Sequence, residues 1–547
     1  MTRINRTMTI LLAGAALPLL AGCGANEIAS PGTGGNVTIN LPGTGTPTPT
    51  PTPTPTGGVT AATACPAIAD SKGLKDDGVI TGPTGSYRVC TLPAIIAKSS
   101  ILPKITGLVY QLNGRVDVGC DGGFSAPTVG APRTSSTAGC TAANGFTLTG
   151  GQLTADTNVT LTIAAGAIVV GNSGPSWLAV NRGNKIDAQG TASNPIIFTS
   201  RENVLGTNTD SSIGQWGGIV LLGRAPVTDC TTGSVGSGTC ERQTEGAVDP
   251  AVFGGADSAY NAGTIKYMQI RYSGYVLSAG IELQSLTTEG IGTGTTLDYI
   301  QSHNSSDDGA EFFGGSVNFK HYIATGADDD SLDFDTGGQG NFQYVLLIQR
   351  TGQGDALFEI DSNGNEADTP RTKLNVANFT ALQPAASANN DAADQASALF
   401  RGNSDTTLVN GIIATPNNEC VRLNGSGTTP ATLVARSVVM QCNATKYIGT
   451  GSYTAAQVAT AFGAGANNNS DSFVPTLTAV FVNATAETAV VATDPKTVNA
   501  FFDTTTYVGA VKDANDNWYK GWTCNSSYAP MDTTTNANRA CTSLPIT

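Results

Sequence analysis

A chain of 547 residues with 13% charged residues, 66 glycines and a net charge of −14 reads as an all-β, turn-rich protein rather than a helical one. With no Lys/Arg cluster beyond the first residues, the acidic balance argues against nucleic acid and anionic membrane surfaces as partners, while a cation, a metal or a basic partner is compatible. Two histidines and no Cys-x-x-Cys argue against a thiolate- or histidine-rich zinc site.

Arg3 and Arg6 precede an apolar run from Ile10 to Leu20, which has signal-peptide length and is too short to span a membrane. The run ends in Leu20-Ala21-Gly22-Cys23, which closely resembles the bacterial lipobox. By that resemblance residues 1–22 are a lipoprotein signal peptide, and Cys23 becomes the lipidated, palmitate-bearing first residue of the mature chain. The alternative is an ordinary secretory signal with an incidental cysteine. Gly24 stands where an Asp typically retains lipoproteins at the inner membrane, which favours the outer membrane. Residues 23–58 are the anchor and its linker. Thr46 to Thr56 alternates Thr and Pro, a semi-rigid polyproline II spacer of about 3.1 Å per residue, roughly 35 Å in all.

Of 11 cysteines one is assigned to lipid, and the other ten fall into sequence-local pairs. These are Cys65 and Cys90, Cys120 and Cys140, Cys230 and Cys240, Cys420 and Cys442, and Cys524 and Cys541. Outside the cytoplasm such thiols imply disulfides, and local pairing is expected because a solenoid brings near neighbours in sequence together. Residues 59–150 are then a disulfide-stapled amino-terminal cap, with strands at Val89–Leu92 and Leu108–Leu112.

A body over residues 151–450 follows. Val159–Ile163 alternates like a half-buried strand. Ala167–Val170, Trp177–Val180, Lys185–Ala188, Pro195–Thr199 and Gln215–Gly223 come next, each bounded by Gly or Asn. The stretches "LTIAAGAIVVG", "LAVNRGNKIDAQGTASNPIIFTS", "GQWGGIVLLGRAPV", "TIKYMQIRYSGY", "SSDDGAEFFGGSVNFKH" and "FFDTTTYVGA…NWYKGWT" resemble a widespread group of bacterial cell-surface and secreted right-handed parallel β-helix proteins, many of them lipoproteins. The resemblance covers about Gly151 to Phe379 and Ala500 to Thr523. It implies a single-stranded right-handed parallel β-helix with terminal caps, and for some similar proteins release through type II secretion and an association with nutrient limitation. The group offers no established catalytic residues.

From Thr264 to Gly364 one pattern repeats three times: a short apolar strand, an acidic turn, a glycine. Leu297, Phe319 and Phe342 are separated by 22 and 23 residues, and Asp308, Asp330 and Asp355 by 22 and 25. That period is a solenoid signature. Lys373–Phe379, Leu408–Ile413 and Leu433–Met440 continue it, with a protruding loop at Pro384–Asp394. In residues 451–547 a short helix is expected within Ser452–Phe462. The aromatic stretch containing Phe501, Phe502, Tyr507, Trp518 and Trp522 is expected to cap the last turns.

Residues one turn apart in a β-helix stack about 4.8 Å apart. Asp308, Asp330 and Asp355 should form one column, and Glu311, Asp333 and Glu359 its neighbour. Stacked carboxylates repel by roughly 3 kcal/mol per pair at an effective dielectric near 20. They can cap turn amides, hold Ca²⁺, for which all-oxygen ligands are suited, or act as catalysts. β-Helix lyases place Lys or Arg as base beside such carboxylates, and Lys320, Arg350 and Arg271 are the basic residues close in sequence. The His-Gly signature of polygalacturonases is absent. His303 and His321 read as structural residues that could be neighbours on adjacent turns. Tyr267, Tyr272, Tyr275 and Tyr299 fit either a sugar-stacking platform or an interior stack. The chain reads as an extracellular lipoprotein, outer-membrane-anchored or secreted, acting without catalysis as a surface or binding module that assists nutrient capture or an extracellular enzyme. Its expected partners are a polysaccharide or an extracellular protein. The alternative is a polysaccharide lyase or hydrolase working at the acidic ladder.

Overall fold

A computed structural model of the chain describes residues 58–244, 251–278, 281–362, 367–386, 395–425, 429–532 and 539–545. The signal peptide, Cys23, the Thr-Pro spacer and most of the loop expected at Pro384–Asp394 lie outside the described residues. The body is an all-β parallel β-helix, and each of its turns has three legs. In one turn they are Lys185–Gln189, Ile196–Ser200 and Ile219–Leu222. First and second legs pair with their counterparts in a 15-stranded sheet, and third legs in an 11-stranded sheet. Side chains alternate along each leg: Ile196 and Phe198 enter the main core, whereas Ile197 joins an outer cluster. The core is a column of stacked large side chains, among them Leu297, Phe319, Phe342, Phe312 and Phe334. Burying each of these contributes about 1.5–3 kcal/mol.

The parallel sheets begin ahead of Gly151. Gly85–Thr91 and Leu108–Leu112 already pair in parallel as second legs, and Ile95–Ile96 and Arg115–Val118 as third legs. Residues 59–150 thus hold the opening turns as well as a cap. A long excursion between Val118 and Thr160 interrupts the spacing there, so no period marks these turns in the sequence. The sheet edge is covered by Lys75–Gly82, which pairs antiparallel with Gly85–Thr91. All five sequence-local cysteine pairs are disulfides.

The corner between first and second legs changes along the stack. In early turns it is a loop, as between Gln189 and Ile196. From Gly263–Arg271 onward one residue suffices, and it adopts left-handed backbone. Tyr267, Tyr299, His321, Tyr344, Asn378, Asn410 and Ser437 occupy these corners with φ between 49° and 63°. Asparagine and histidine are among the residues that tolerate this conformation, whereas tyrosine adopts it at a cost of about 1–2 kcal/mol. Stacking offsets that cost. Ring centroids lie 4.2 Å apart for Tyr267 and Tyr299, 4.0 Å for Tyr299 and His321, and 4.7 Å for His321 and Tyr344.

Helix Ala455–Phe462 closes the far end. Thr454 caps it, Gln457 reaches back to the Thr454 amide, and Val458 and Phe462 bury in the main core. The aromatic stretch after it covers the last turns as expected at Phe502 and Val508, but it does not stop there. It runs back along the outer side of the second legs as a strap. Ser437 donates to the Asn467 carbonyl at one end (2.8 Å), and Asn203 donates to the Cys541 carbonyl at the other (3.1 Å). Strap residues Phe481, Val511, Tyr519 and Trp522 cover the outward side chains Ile323, Leu346, Ile348 and Leu382. These outward apolar positions need a cover, and the strap supplies it.

Candidate functional site

The third legs carry the acidic strip. Glu311, Asp333 and Glu359 are in register on its outer face, while Phe312, Phe334 and Ile360 point into the core. Asp308, Asp330 and Asp355 lie in the preceding turns, one per turn. The two columns expected from the spacing are therefore present. Asp308 Oδ1 accepts the Asp330 amide (2.9 Å), and Asp330 Oδ1 accepts the Ala356 amide (2.7 Å). Each carboxylate caps the backbone of the next turn, which is the turn-capping role in a stacked form.

These residues also converge on one another. Carboxylate oxygens of Asp308, Glu311 and Asp333 lie within 4.8 Å, as do those of Asp329, Asp330 and Asp355 and those of Asp307, Asp308 and Asp329. Burial, then neighbouring carboxylates, hold Asp308, Asp330 and Asp333 well above the usual carboxylate range. Asp333 Oδ1 is buried without a hydrogen-bond partner among the described residues. A hard divalent cation such as Ca²⁺ suits this oxygen set, with Asp308, Glu311 and Asp333 as its holders and the second triplet as a further position.

The strip is wider than the spacing suggested. Asp335 and Asp361 extend it along the same face, and burial followed by the Asp361 charge pushes Asp335 up to about 8. The acid–apolar–acid alternation in Asp333-Phe334-Asp335 and Glu359-Ile360-Asp361 was the available signal. Arg401 bounds one end, at 3.0 Å from Glu359 and 3.2 Å from Asp361. On the flank, Glu289 accepts from Thr244 (2.6 Å), and Arg242 lies over the Phe313 ring (5.7 Å).

The basic residues close in sequence are engaged elsewhere. Arg271 is fully buried under the strap, where it donates to the carbonyls of Cys541 and Ser543. Lys320 pairs with Asp503 (2.8 Å) beside Phe501, on a first leg. Arg350 pairs with Asp328 (3.1 Å). The two histidines are not neighbours. His321 is a corner residue bound to Asp298 (2.8 Å), while His303 ends a second leg, buried against Thr325 (2.9 Å). Burial, then Arg271 and Arg350, holds His303 well below its usual pKa, so it is neutral. The tyrosines form neither an open platform nor an interior stack. Tyr267 and Tyr299 stack outside the core with Trp522 edge-on to both, and Tyr272 is buried against the Cys524–Cys541 disulfide.

A family model described as a pectate-lyase-like β-helix domain matches residues 134–523, which include the whole strip. No curated protein and no solved structure matches the chain.

Proposed function

The chain belongs to the pectate-lyase-like β-helix domain family, and on that footing we propose that it is a non-catalytic polysaccharide-binding protein displayed at the cell surface. The observation that carries this reading is the pairing of the cations around the acidic strip. A β-elimination needs a neutral or poised base beside the substrate, yet Arg401 and Arg242, which bound the strip, and Arg350 are each in an ion pair, while Lys320 and Arg271 lie on other legs. Such a protein would serve nutrient capture or present substrate to an extracellular enzyme. Anchorage rests on Leu20-Ala21-Gly22-Cys23 and the Thr-Pro spacer: lipid on Cys23 would hold the chain at the outer membrane, and type II secretion would carry it to the surface or the medium.

A second reading is a polysaccharide lyase or hydrolase. The convergence of Asp308, Glu311 and Asp333 favours it, because a proton held well above its usual pKa is what a general acid requires. One experiment separates the two. The Cys23→Ala chain is incubated with acidic and neutral polysaccharides, with calcium and with chelator. Binding without new chain ends supports the binding protein. New chain ends that vanish in Asp330→Asn, with melting unchanged, would replace it with the enzyme. In the parallel fractionation, Cys23→Ala moves the protein from membrane to soluble fraction. Retention in the membrane would remove the anchor from the proposal.

A further inference from the structure

Away from the acidic strip, two disulfide-closed loops face each other across a cleft of about 500 Å³. One jaw is the excursion closed by Cys120–Cys140, and it contributes Phe124, Arg133, Thr134 and Ser135. The other is the loop closed by Cys230–Cys240, which contributes Thr232, with Glu241 next to its closing cysteine. Arg182, 1% exposed, joins them from below. Its Nε and Nη2 donate to Asp121 (2.6 and 2.7 Å) on the first jaw, and its Nη1 donates to Glu241 (2.7 Å) on the second. The first jaw is also packed against the segment that follows the second, since a Cβ on Gly255 would lie 2.4 Å from the Phe124 carbonyl oxygen. The jaws are therefore fixed before any ligand arrives, which lowers the ordering cost of binding.

We propose that this cleft is a docking site for a neutral oligosaccharide segment. The inference rests on the polysaccharide-binding reading and assigns it a place distinct from the acidic strip. Its volume falls within the range of about 300–1,000 Å³ typical of small-ligand sites. The carboxylates of Asp121 and Glu241 are balanced by the guanidiniums of Arg182 and Arg133, so the lining selects strongly for neither anion nor cation. The walls offer the hydroxyls of Thr134, Ser135 and Thr232, which can donate to and accept from sugar hydroxyls. Phe124 is partly exposed and carries the Arg133 guanidinium over its ring at 4.0 Å. Arg133 Nε is a buried donor without a hydrogen-bond partner among the described residues. A pyranose can offer an acceptor to the Arg133 guanidinium and a C–H edge to the exposed part of the Phe124 ring. Asp121 to Arg133 precede the residues matched by the family model, and Thr134 and Ser135 lie within them.

The test titrates neutral gluco-, manno- and xylo-oligosaccharides, with oligogalacturonate alongside, into the Cys23→Ala chain by calorimetry. The same titrations are run on Phe124→Ala, on Thr232→Trp, which fills the opposite jaw, and on Asp330→Asn in the strip. Melting curves establish that each variant is folded. A neutral oligosaccharide that binds the parent chain, weakens at least tenfold in both cleft variants and is unchanged in Asp330→Asn is the expected result. Binding that survives both cleft variants and falls in Asp330→Asn would overturn the cleft site while leaving the binding reading intact. Binding of oligogalacturonate alone, lost in the cleft variants, would overturn the choice of a neutral ligand. No binding of any probe to the parent chain would remove both readings.

Discussion

Asp333 stands between Glu311 one turn below and Glu359 one turn above, in a recess that also holds Asp308. In an unfolded chain these groups ionise near about pH 4. In the folded chain burial and mutual repulsion hold Asp308, Asp330 and Asp333 well above that range and Asp335 at about 8. The folded state therefore keeps protons that the unfolded state releases. The associated stabilisation is complete below about pH 4 and is lost as pH rises through the raised folded-state pKa values, every tenfold gain in proton affinity on folding contributing about 1.4 kcal/mol. Thermal melts in chelator should accordingly fall as pH rises above the ordinary carboxylate range, and the Asp335 proton leaves at about pH 8. Calcium at the alkaline end should restore the midpoint, and Asp333→Asn should flatten both responses. A melt that rises with pH, or ignores calcium, would exclude a cation-held strip. At the corners, Tyr299 stacks on Tyr267 and His321 and meets the edge of Trp522. Tyr299→Ala should cost about 2 kcal/mol by denaturant titration, since each ring pair contributes about 0.5–1.5 kcal/mol beyond its buried area. The acid columns could be read from spacing because a carboxylate in a turn has few other uses. The tyrosine corners could not, because nothing in a tyrosine announces left-handed backbone.

The strap is held by a device that recurs along it. Gln301 accepts the Cys524 amide (2.8 Å) and donates to the Cys524 carbonyl (3.2 Å). Gln343 makes the same pair of bonds with Asp503 (2.7 and 3.0 Å), and Asn410 with Thr493 (2.9 and 2.8 Å). In each case a side-chain amide takes the place of a neighbouring peptide unit, so an irregular segment docks on a sheet face without becoming a strand. Gln343→Ala removes both bonds to Asp503, a loss of about 0.5–1.5 kcal/mol for each. Hydrogen exchange should show faster exchange near Asp503 while the second legs stay protected. Unchanged protection at Asp503 would mean that apolar contacts alone hold the strap. Amide docking of this kind has no period, which is why the aromatic stretch reads from sequence as an end cap. Helix Ala455–Phe462, by contrast, was legible from its apolar spacing and was the actual closure of the stack.

As a whole molecule, a solenoid's stability is approximately a sum over neighbouring turns, so its ends can loosen independently. The strap changes that arithmetic by touching second legs from the last turn back to Asn203. Leu544 then joins Tyr87 and Ile168 in one apolar cluster near the start of the stack. The intact chain should melt in one transition. A chain cut by a protease site inserted at Asn467–Asn468 and washed free of the strap should melt in stages, as calorimetry would record. The fold class and the cysteine pairing were legible from composition, strand spacing and locality. The opening turns were not, because the excursion that builds a jaw of the cleft also breaks their period. The strap also has a consequence in time. Synthesis is vectorial, and residues 481–531 follow every turn they cover. Until they arrive, Ile323, Leu346, Ile348 and Leu382 face water as an apolar stripe. A growing chain can wind its turns one by one, yet it must be shielded from its neighbours until that late segment folds back and hides the stripe.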